Sequence, residues 1–316
     1  MELTKGALKQ VMTKPYIAGS LAEMAAWRRE NGAVWLSAGS KETTAPETAR
    51  DLVAFVPTMG ALHDGHIELV RRAKARGGKV VVSIFVNPYQ FAPHEDFNKY
   101  PRTFERDLEL LAQAGVDAVF YPTEAEMYPR GKDSIVSVVP PSPLNDTLEG
   151  AFRPTFFRGV ATVVLKLFNA VQPHVAFFGE KDYQQLQVIK ALVRDLDVPV
   201  EIVPVQTVRE QDGLAMSSRN AYLDAEKRQV ATTLHKALSL VKERYQAAHA
   251  AGKTIPVAEP LKEGSDMIEQ AGFELQYLTV CDAETLLPQE TFHAPFVVLV
   301  AAKLGEVRLI DNLVVA

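Results

Sequence analysis

Apolar residues in this chain gather into short unbroken runs, and between the runs they recur at helical spacing. Val53 to Pro57 is one such run, and Val80 to Val86 is a second, β-branched and closing at Asn87-Pro88. Val116 to Tyr121, Val175 to Phe178 and Val200 to Val205 repeat the form. Runs of this length without polar alternation predict strands buried on both faces. Between them, Ile67, Val70 and Ala73 share one face of a helix predicted from Asp64 to Ala75. Phe104, Leu108 and Leu111 do the same for Thr103 to Ala114, with Thr103 as N-cap. Val160 to Val171 and Tyr183 to Leu196 predict two more helices. Strands alternating with helices in this way predict βαβ units and a parallel sheet. Such sheets bind ligands beyond the carboxyl ends of their strands. The unusual polar residues stand there: His63 and His66, Asn87 and Gln90, Glu180 to Asp182.

The pattern changes after about residue 206. A long helix is predicted from Asp224 to Ala250, followed by strand-like runs at Leu275–Asp282, Phe296–Ala302 and Val307–Asn312. The expected architecture is α/β: a domain over residues 1–206 built on a parallel sheet, then a smaller α+β domain over 207–316. Residues 30–50 are polar and weakly periodic, which predicts a surface loop. Internal repeats and low-complexity tracts are absent from the sequence.

Composition narrows the class. A chain of 316 residues with 47% hydrophobic positions can bury one large core or two ordinary ones. The formal charge of −5 argues against bulk nucleic-acid binding, though a local cluster of Lys and Arg can still hold a small anion. The single cysteine, Cys281, forbids an internal disulfide and a Cys-based zinc cluster. It sits in a strand-like run and is expected to pack as a small hydrophobe. No apolar run approaches a membrane span, and the N-terminal residues lack the apolar core of a secretory signal, so the cytoplasm is the expected location.

His63-Asp64-Gly65-His66 lies just after a strand and opens a helix. Unpaired N–H groups and a partial positive charge make a helix start suited to phosphate. Histidines three residues apart project the same way on a first turn, so both can reach one phosphate chain. Gly65 permits close approach of a ligand to the backbone. The plainer reading is a pair of surface or capping histidines. Zinc is disfavoured because no third ligand stands at metal spacing. Gly179-Glu180-Lys181-Asp182 follows an apolar strand: Lys181 is placed to hold phosphates, and Asp182 to bind Mg²⁺ or a hydroxyl, against the alternative of an ordinary charged turn. In Asp212 to Asn220, the hydroxyls of Ser217 and Ser218 and the guanidinium of Arg219 suit phosphate oxygens, or else form a capping turn. Asn87-Pro88-Tyr89-Gln90-Phe91 combines two amides with aromatics, fit for a small polar acid or for ending a strand.

As a set, Pro57 to His66, Phe85 to Phe91, Tyr100 to Thr103, Phe178 to Gln185, Asp212 to Asn220 and Arg308 to Asn312 are highly specific. From about Val53 onward the chain closely resembles the pantoate–β-alanine ligase (pantothenate synthetase) family, of the nucleotidyltransferase superfamily with a His-X-Gly-His signature. The resemblance implies a Rossmann-like domain, a C-terminal lid and a homodimer. It implies a two-step reaction on small molecules, ATP, pantoate and β-alanine, with Mg²⁺ accompanying ATP, and no nucleic-acid or membrane partner. Carboxylate attacks the α-phosphorus and expels pyrophosphate; the β-alanine amine then displaces AMP from the pantoyl-adenylate.

By the same resemblance the catalytic set is His63, His66, Lys181, Ser217, Ser218 and Arg219. The ATP site adds Met59, Gly60, Ala61, Leu62, Asp64, Gly65, Gly179, Glu180, Asp182, Val208 and Met216. Gln90, Gln185 and Asn87 are assigned to pantoate, and Asp107 is a candidate for Mg²⁺. The family labels His66 a proton donor; pyrophosphate is a good leaving group, so charge stabilisation and hydrogen-bond donation fit better.

Two departures stand out. The family's ATP loop usually lies within some 30 residues of the N-terminus, whereas here it starts at Val53, so residues 30–50 look like an insertion. Arg153-Pro154-Thr155-Phe156-Phe157-Arg158-Gly159-Val160 carries Thr155 and Phe156 where the family reads Gly-His, in a stretch expected to be a loop over the site. Two rival readings remain open on the residues: a relative that transfers a nucleotidyl group to a phosphate or alcohol, and a nucleotide-binding regulator.

Overall fold

The computed structural model describes residues 14–32, 51–92 and 95–316, so most of the polar 30–50 stretch lies outside the described residues. The chain opens with a short strand β1 (Tyr16–Ala18) and helix α1 (Leu21–Glu30), neither of which hydrophobic patterning predicts. Then come β2 (Val53–Thr58), α2 (Asp64–Ala75), β3 (Lys79–Ile84), α3 (Phe104–Gln113), β4 (Ala118–Phe120) and the short α4 (Glu124–Met127) and α5 (Glu149–Phe152). Helix α6 (Phe156–Val171), β5 (Val175–Gly179), α7 (Tyr183–Asp195) and β6 (Glu201–Val205) complete the first layered unit.

Six strands form one sheet in the order β1-β4-β3-β2-β5-β6, every neighbouring pair parallel. Alternation decides its two faces. Val53, Phe55, Val81, Phe120, Ala176 and Phe178 pack with Trp27 of α1 and with α6 and α7. Ala54, Val56, Val80, Val82, Val119 and Phe177 pack with Leu69, Val70 and Ala73 of α2 and Leu111 of α3. The chain runs outward from β2 through β3 to β4, then returns to pair β5 on the other side of β2. That reversal opens a crevice at the carboxyl ends of β2 and β5.

The remainder holds α8 (Ala225–Val230), α9 (Thr233–Ala250), α10 (Ala258–Gln270), β7 (Glu274–Asp282), β8 (Phe296–Leu304) and β9 (Val307–Val315). The strands form an antiparallel sheet in the order β7-β8-β9, backed by its own apolar core. The helix expected over Asp224–Ala250 is two helices. Asp224 caps the first, and at the junction the Thr232 hydroxyl donates to the Gln229 carbonyl at 2.8 Å. Helix α10 contains Pro260 and Gly264, which mask its periodicity. Pro260 sits in the first turn, where no intrahelical N–H is needed, and Gly264 lets the helix close on Leu278. Cys281 is buried and free, and burial pushes its thiol up to about 11. No described helix is long and apolar enough to cross a membrane.

Candidate active site

The crevice between β2 and β5 opens into a cleft of about 1210 Å³, roofed by the 207–222 segment and by β7 and β9. Its floor is the turn joining β2 to α2. Gly60 and Ala61 both adopt positive φ, +83° and +51°. Gly60 leaves no room for a side chain: a Cβ there would stand 3.0 Å from Ile84 and 3.1 Å from Asp107. The Asp107 carboxylate accepts hydrogen bonds from Ala61 N and Leu62 N, both at 2.9 Å, and from the Thr103 hydroxyl at 3.1 Å. Thr103 thus occupies the N-cap position of α3 without capping it. Thr58 ties the same turn down, its hydroxyl donating to Ser83 O at 2.7 Å and accepting from Gly60 N at 3.2 Å.

Helix α2 is capped by its own histidines. His63 Nδ1 accepts from Gly65 N at 3.2 Å, and His66 Nδ1 accepts from His63 N at 3.3 Å. The two rings lie 4.1 Å apart. Each ring spends Nδ1 as an acceptor, which leaves the proton on Nε2. Burial and then the Lys181 charge lower His63 to about 4, and burial, His63 and Lys181 lower His66 to about 3. Both imidazoles are therefore neutral donors at pH 7. Gly65 packs under the His63 ring, where a Cβ would meet Cε1 at 2.9 Å.

Across the crevice, Lys181 Nζ lies 4.0 Å from Asp182, too far for a hydrogen bond. Its turn is held from β9: Asn312 Nδ2 donates to the carbonyls of Glu180 and Lys181 at 2.8 and 2.7 Å. Arg209 pairs with Asp311 through Nη1 at 2.7 Å and Nη2 at 3.0 Å. Ser217 Oγ accepts from Arg219 N at 3.3 Å, and the Ser218 hydroxyl donates to Ala61 O at 3.2 Å, joining the 217–222 turn to the floor.

A second end of the cleft is built on the Pro88–Gln90 turn. Gln90 Oε1 accepts from Asn87 at 3.2 Å and its Nε2 faces Met59 Sδ at 3.1 Å. A thioether is a weak acceptor, so that N–H is available to a better one. Asn87 is fully engaged: Nδ2 also donates to Gly159 O at 3.2 Å, and Oδ1 accepts from Tyr128 OH at 2.6 Å and Tyr89 N at 3.2 Å. Gln185 lines the cleft and makes no hydrogen bond among the described residues, whereas Gln184 is spent on Leu144, Thr147 and Glu149.

The cleft thus brings together Met59, His63, Gly65, His66, Asn87, Gln90, Gly179, Lys181, Asp182, Gln185, Val208, Met216, Ser217, Ser218 and Arg219. Gly60, Ala61, Leu62, Asp64 and Glu180 do not line it. Leu62 is buried in the core behind the turn, Gly60 and Ala61 shape that turn, Asp64 is exposed on the first turn of α2, and Glu180 is drawn into the turn by Asn312. Asp107, the expected metal ligand, lies behind the floor with both oxygens on backbone N–H groups. Asn87 orients Gln90 instead of facing a ligand with a free amide. Only part of the Arg153–Val160 stretch is a loop: Arg153 to Thr155 turn the chain out of α5, and Phe156 to Val160 open α6, with Thr155 in its N-cap position; Phe156 lines the cleft with the Arg153 guanidinium 3.6 Å above its ring. Sequence reasoning missed Asp96 and Tyr100 as parts of this wall; Tyr100 carries a signal only as a member of the Tyr100–Thr103 block, and Arg153 only as part of the stretch expected over the site.

Comparison with known proteins gives a uniform answer. The family model described as Pantoate-beta-alanine ligase matches residues 36–314. A pantothenate synthetase of Bradyrhizobium sp. (strain BTAi1) is 52% identical over 281 residues, covering 89% of this chain and 96% of the relative. One from Chromobacterium violaceum is 48% identical over 297 residues, covering 94% and 98%. The crystal structure of pantothenate synthetase from Thermus thermophilus superposes with a TM-score of 0.82 at 45% identity, covering 94% of this chain and 98% of that one. A pantoate-β-alanine ligase of Francisella tularensis, complexed with "Beta-gamma ATP" and β-alanine, superposes with a TM-score of 0.74 at 32% identity, covering 95% and 97%.

Proposed function

The chain belongs to the pantoate–β-alanine ligase family, and from that premise we infer how its cleft performs the family's reaction, the ATP-dependent condensation of pantoate with β-alanine to pantothenate, AMP and pyrophosphate. Two steps follow. A pantoate carboxylate oxygen attacks the α-phosphorus of ATP, the bond to the β-phosphate oxygen breaks, and pyrophosphate leaves. The β-alanine amine then attacks the pantoyl-adenylate carbonyl, loses a proton, and expels AMP. Oxide cannot leave a carboxylate, whereas AMP can, which is why the acid is adenylated first.

Negative charge builds between the α- and β-phosphates in the first step, so positioning and cationic stabilisation carry the catalysis. His63 and His66 donate Nε2–H to phosphate oxygens as neutral rings. Lys181 bridges the phosphates from the opposite wall, and Ser217, Ser218 and Arg219 close on them from above. Met59, Gly65, Gly179, Asp182, Val208 and Met216 complete the nucleotide wall. Gln90 and Gln185 hold the pantoate hydroxyl and carboxylate groups. The observation that supports this division is the juxtaposition in one cleft of a cationic, N–H-rich nucleotide side and two amides with donors to spare.

Mg²⁺ belongs to the same proposal. Among the described residues no group of three or more His, Cys, Asp or Glu could hold a metal. Asp182 is the carboxylate beside Lys181, which suits an ion held chiefly by phosphates and water. Bound there, Mg²⁺ would neutralise phosphate charge. Activity lost to a chelator and restored by Mg²⁺ is the expected result; full turnover without divalent ions would remove the ion.

Residues 1–206 as the ATP- and pantoate-binding domain and 207–316 as its lid, a cytoplasmic location and a homodimer complete the reading. Self-association rests on the family likeness; a monomeric mass by sedimentation would refute it. The deciding experiment is product analysis. ATP, pantoate and β-alanine should yield AMP and pantothenate in equal amounts. ADP release, or AMP formation indifferent to β-alanine, would overturn the ligase reading.

A further inference from the structure

Two consecutive carboxylates, Glu95 and Asp96, reach in opposite directions from one turn. Glu95 forms a bidentate pair with Arg153, its Oε2 at 3.0 Å from Nη2, and also accepts from Ala92 N at 3.0 Å. Burial alone would raise the Glu95 carboxyl, but the hydrogen bond and charge of Arg153 prevail and hold it below the usual range. Arg153 in turn sits on the Phe156 ring and approaches Gln90 O at 3.5 Å. Glu95 is thereby anchored to the amide end of the cleft.

Asp96 faces the other way. Its carboxylate takes Arg219 Nε at 3.1 Å and Nη2 at 3.0 Å, a bidentate bridge from the 95–100 segment to the 217–222 turn. Around it, Tyr222 OH donates to Lys99 O at 3.2 Å, and Ser218 stands beside the Tyr100 hydroxyl. A guanidinium has five N–H donors in a rigid plane. Asp96 occupies one edge of that plane, and Arg219 Nη1 has no partner among the described residues. Arg219 itself lines the cleft. A flexible side chain fixed along one edge loses little further entropy when its free edge meets an anion.

We propose that Asp96 is a positioning residue for Arg219: it draws the 217–222 turn across the cleft and fixes the guanidinium so that its Nη1 edge is offered to the nucleotide phosphates. The inference rests on the ligase reading, in which Arg219 acts on phosphate. Through Glu95 and Arg153 the same turn is braced on the Gln90 wall, so the phosphate-binding guanidinium keeps register with the carboxylate-binding amide.

The test is a double-mutant cycle on pantoate-dependent pyrophosphate release in single turnover, with wild type, Asp96→Asn, Arg219→Ala and the double variant, each checked by thermal melting. Asp96→Asn preserves shape and removes charge. It should slow adenylation by about tenfold to a hundredfold, with the pantoate KM within about twofold of wild type and the melting temperature little changed. In the Arg219→Ala background it should add almost nothing, because its effect passes through that guanidinium. Losses that multiply in the double variant, or an unchanged adenylation rate in Asp96→Asn, would overturn the positioning role while leaving the ligase reading in place. Wild-type enzyme that releases no pantoate-dependent pyrophosphate would remove the ligase reading and this proposal together.

Discussion

An imidazole that accepts a backbone hydrogen bond through Nδ1 has only Nε2 left for its proton. That single constraint decides what His63 and His66 can do. Each caps the other's turn through Nδ1, and each is held well below the ordinary histidine value, to about 4 and about 3. Neither can serve as a cationic acid in the free enzyme at neutral pH; both can donate one hydrogen bond along a fixed direction. Long-range nitrogen–proton NMR of the free protein should show both rings as the Nε2–H tautomer, unchanged from about pH 8 down to about 5.5. A ring titrating near 6.5, or carrying its proton on Nδ1, would contradict the capping geometry. The linkage runs in the matching sense. The unfolded chain, with histidines near 6.5, binds protons that the folded rings refuse. Their contribution to stability is therefore intact above 6.5 and declines as pH falls, toward about 4 for His63 and about 3 for His66. Replacing His66 by Ala removes a donor facing the cleft and a helix cap together, which is why its tautomer is a cleaner readout than its deletion.

At the scale of elements, what the sequence made legible was what its periodicity carries. Strands β2 to β5 and helices α2, α3, α6 and α7 emerge within a few residues of their observed bounds, because each buries a continuous stripe or both faces; β6 emerges from its β-branched run as well, but at the sheet edge it buries only Val205 rather than both faces. Strand β1 is three residues at the sheet edge, with Tyr16 and Ile17 exposed, so no apolar run announces it. The site was legible where a motif sits at a strand end, and illegible where a contact joins distant segments. Gly159 shows the difference. In the sequence it is one glycine just ahead of the helix predicted from Val160; in the structure it lies inside α6, so close to the Pro88–Gln90 turn that a Cβ would stand 2.4 Å from Tyr89 O and 2.7 Å from Gln90 Cα. The Asn87 amide spans the same junction to Gly159 O. Gly159→Ala must push the helix and the turn apart, at a cost of about 1–3 kcal/mol. The displaced Gln90 should raise the pantoate KM by roughly tenfold while the ATP KM stays near wild type, since a misplacement of about 1 Å at a positioning group has effects of that order or larger. Equal rises in both constants would mean that the turn does not separate the two ends of the cleft.

On the scale of the whole molecule, the cleft exists only while the antiparallel sheet stays seated on the parallel one. One buried cluster spans that junction. Glu149 at the start of α5 accepts both terminal nitrogens of Arg308 from β9, each at 2.6 Å, and the Tyr277 hydroxyl of β7 at 2.7 Å. Gln276 takes the remaining Arg308 Nε at 2.7 Å. The side chain of Glu149 is 8% exposed and that of Arg308 23%, so the two partners differ in their access to water. A buried pair is worth little against an apolar substitute, but a single charge stranded in its place is costly. Arg308→Met strands the Glu149 carboxylate and should destabilise by about 2–4 kcal/mol, the lower part of the usual range because Arg308 is partly hydrated. Glu149→Gln leaves an arginine that water can reach and should cost less, about 1–2 kcal/mol. Combining Arg308→Met with Glu149→Leu removes the stranded charge and should recover much of the loss in urea unfolding. In solution scattering the double variant should nevertheless have a larger radius of gyration than wild type, because apolar side chains fill the site without the directional grip that holds β9 over the cleft. If the single losses simply add, the cluster is not one cooperative unit. If stability and radius recover together, the seating of the second sheet depends on apolar contact such as Val297 and Leu299 make with the first core, and the ion pair adds only orientation.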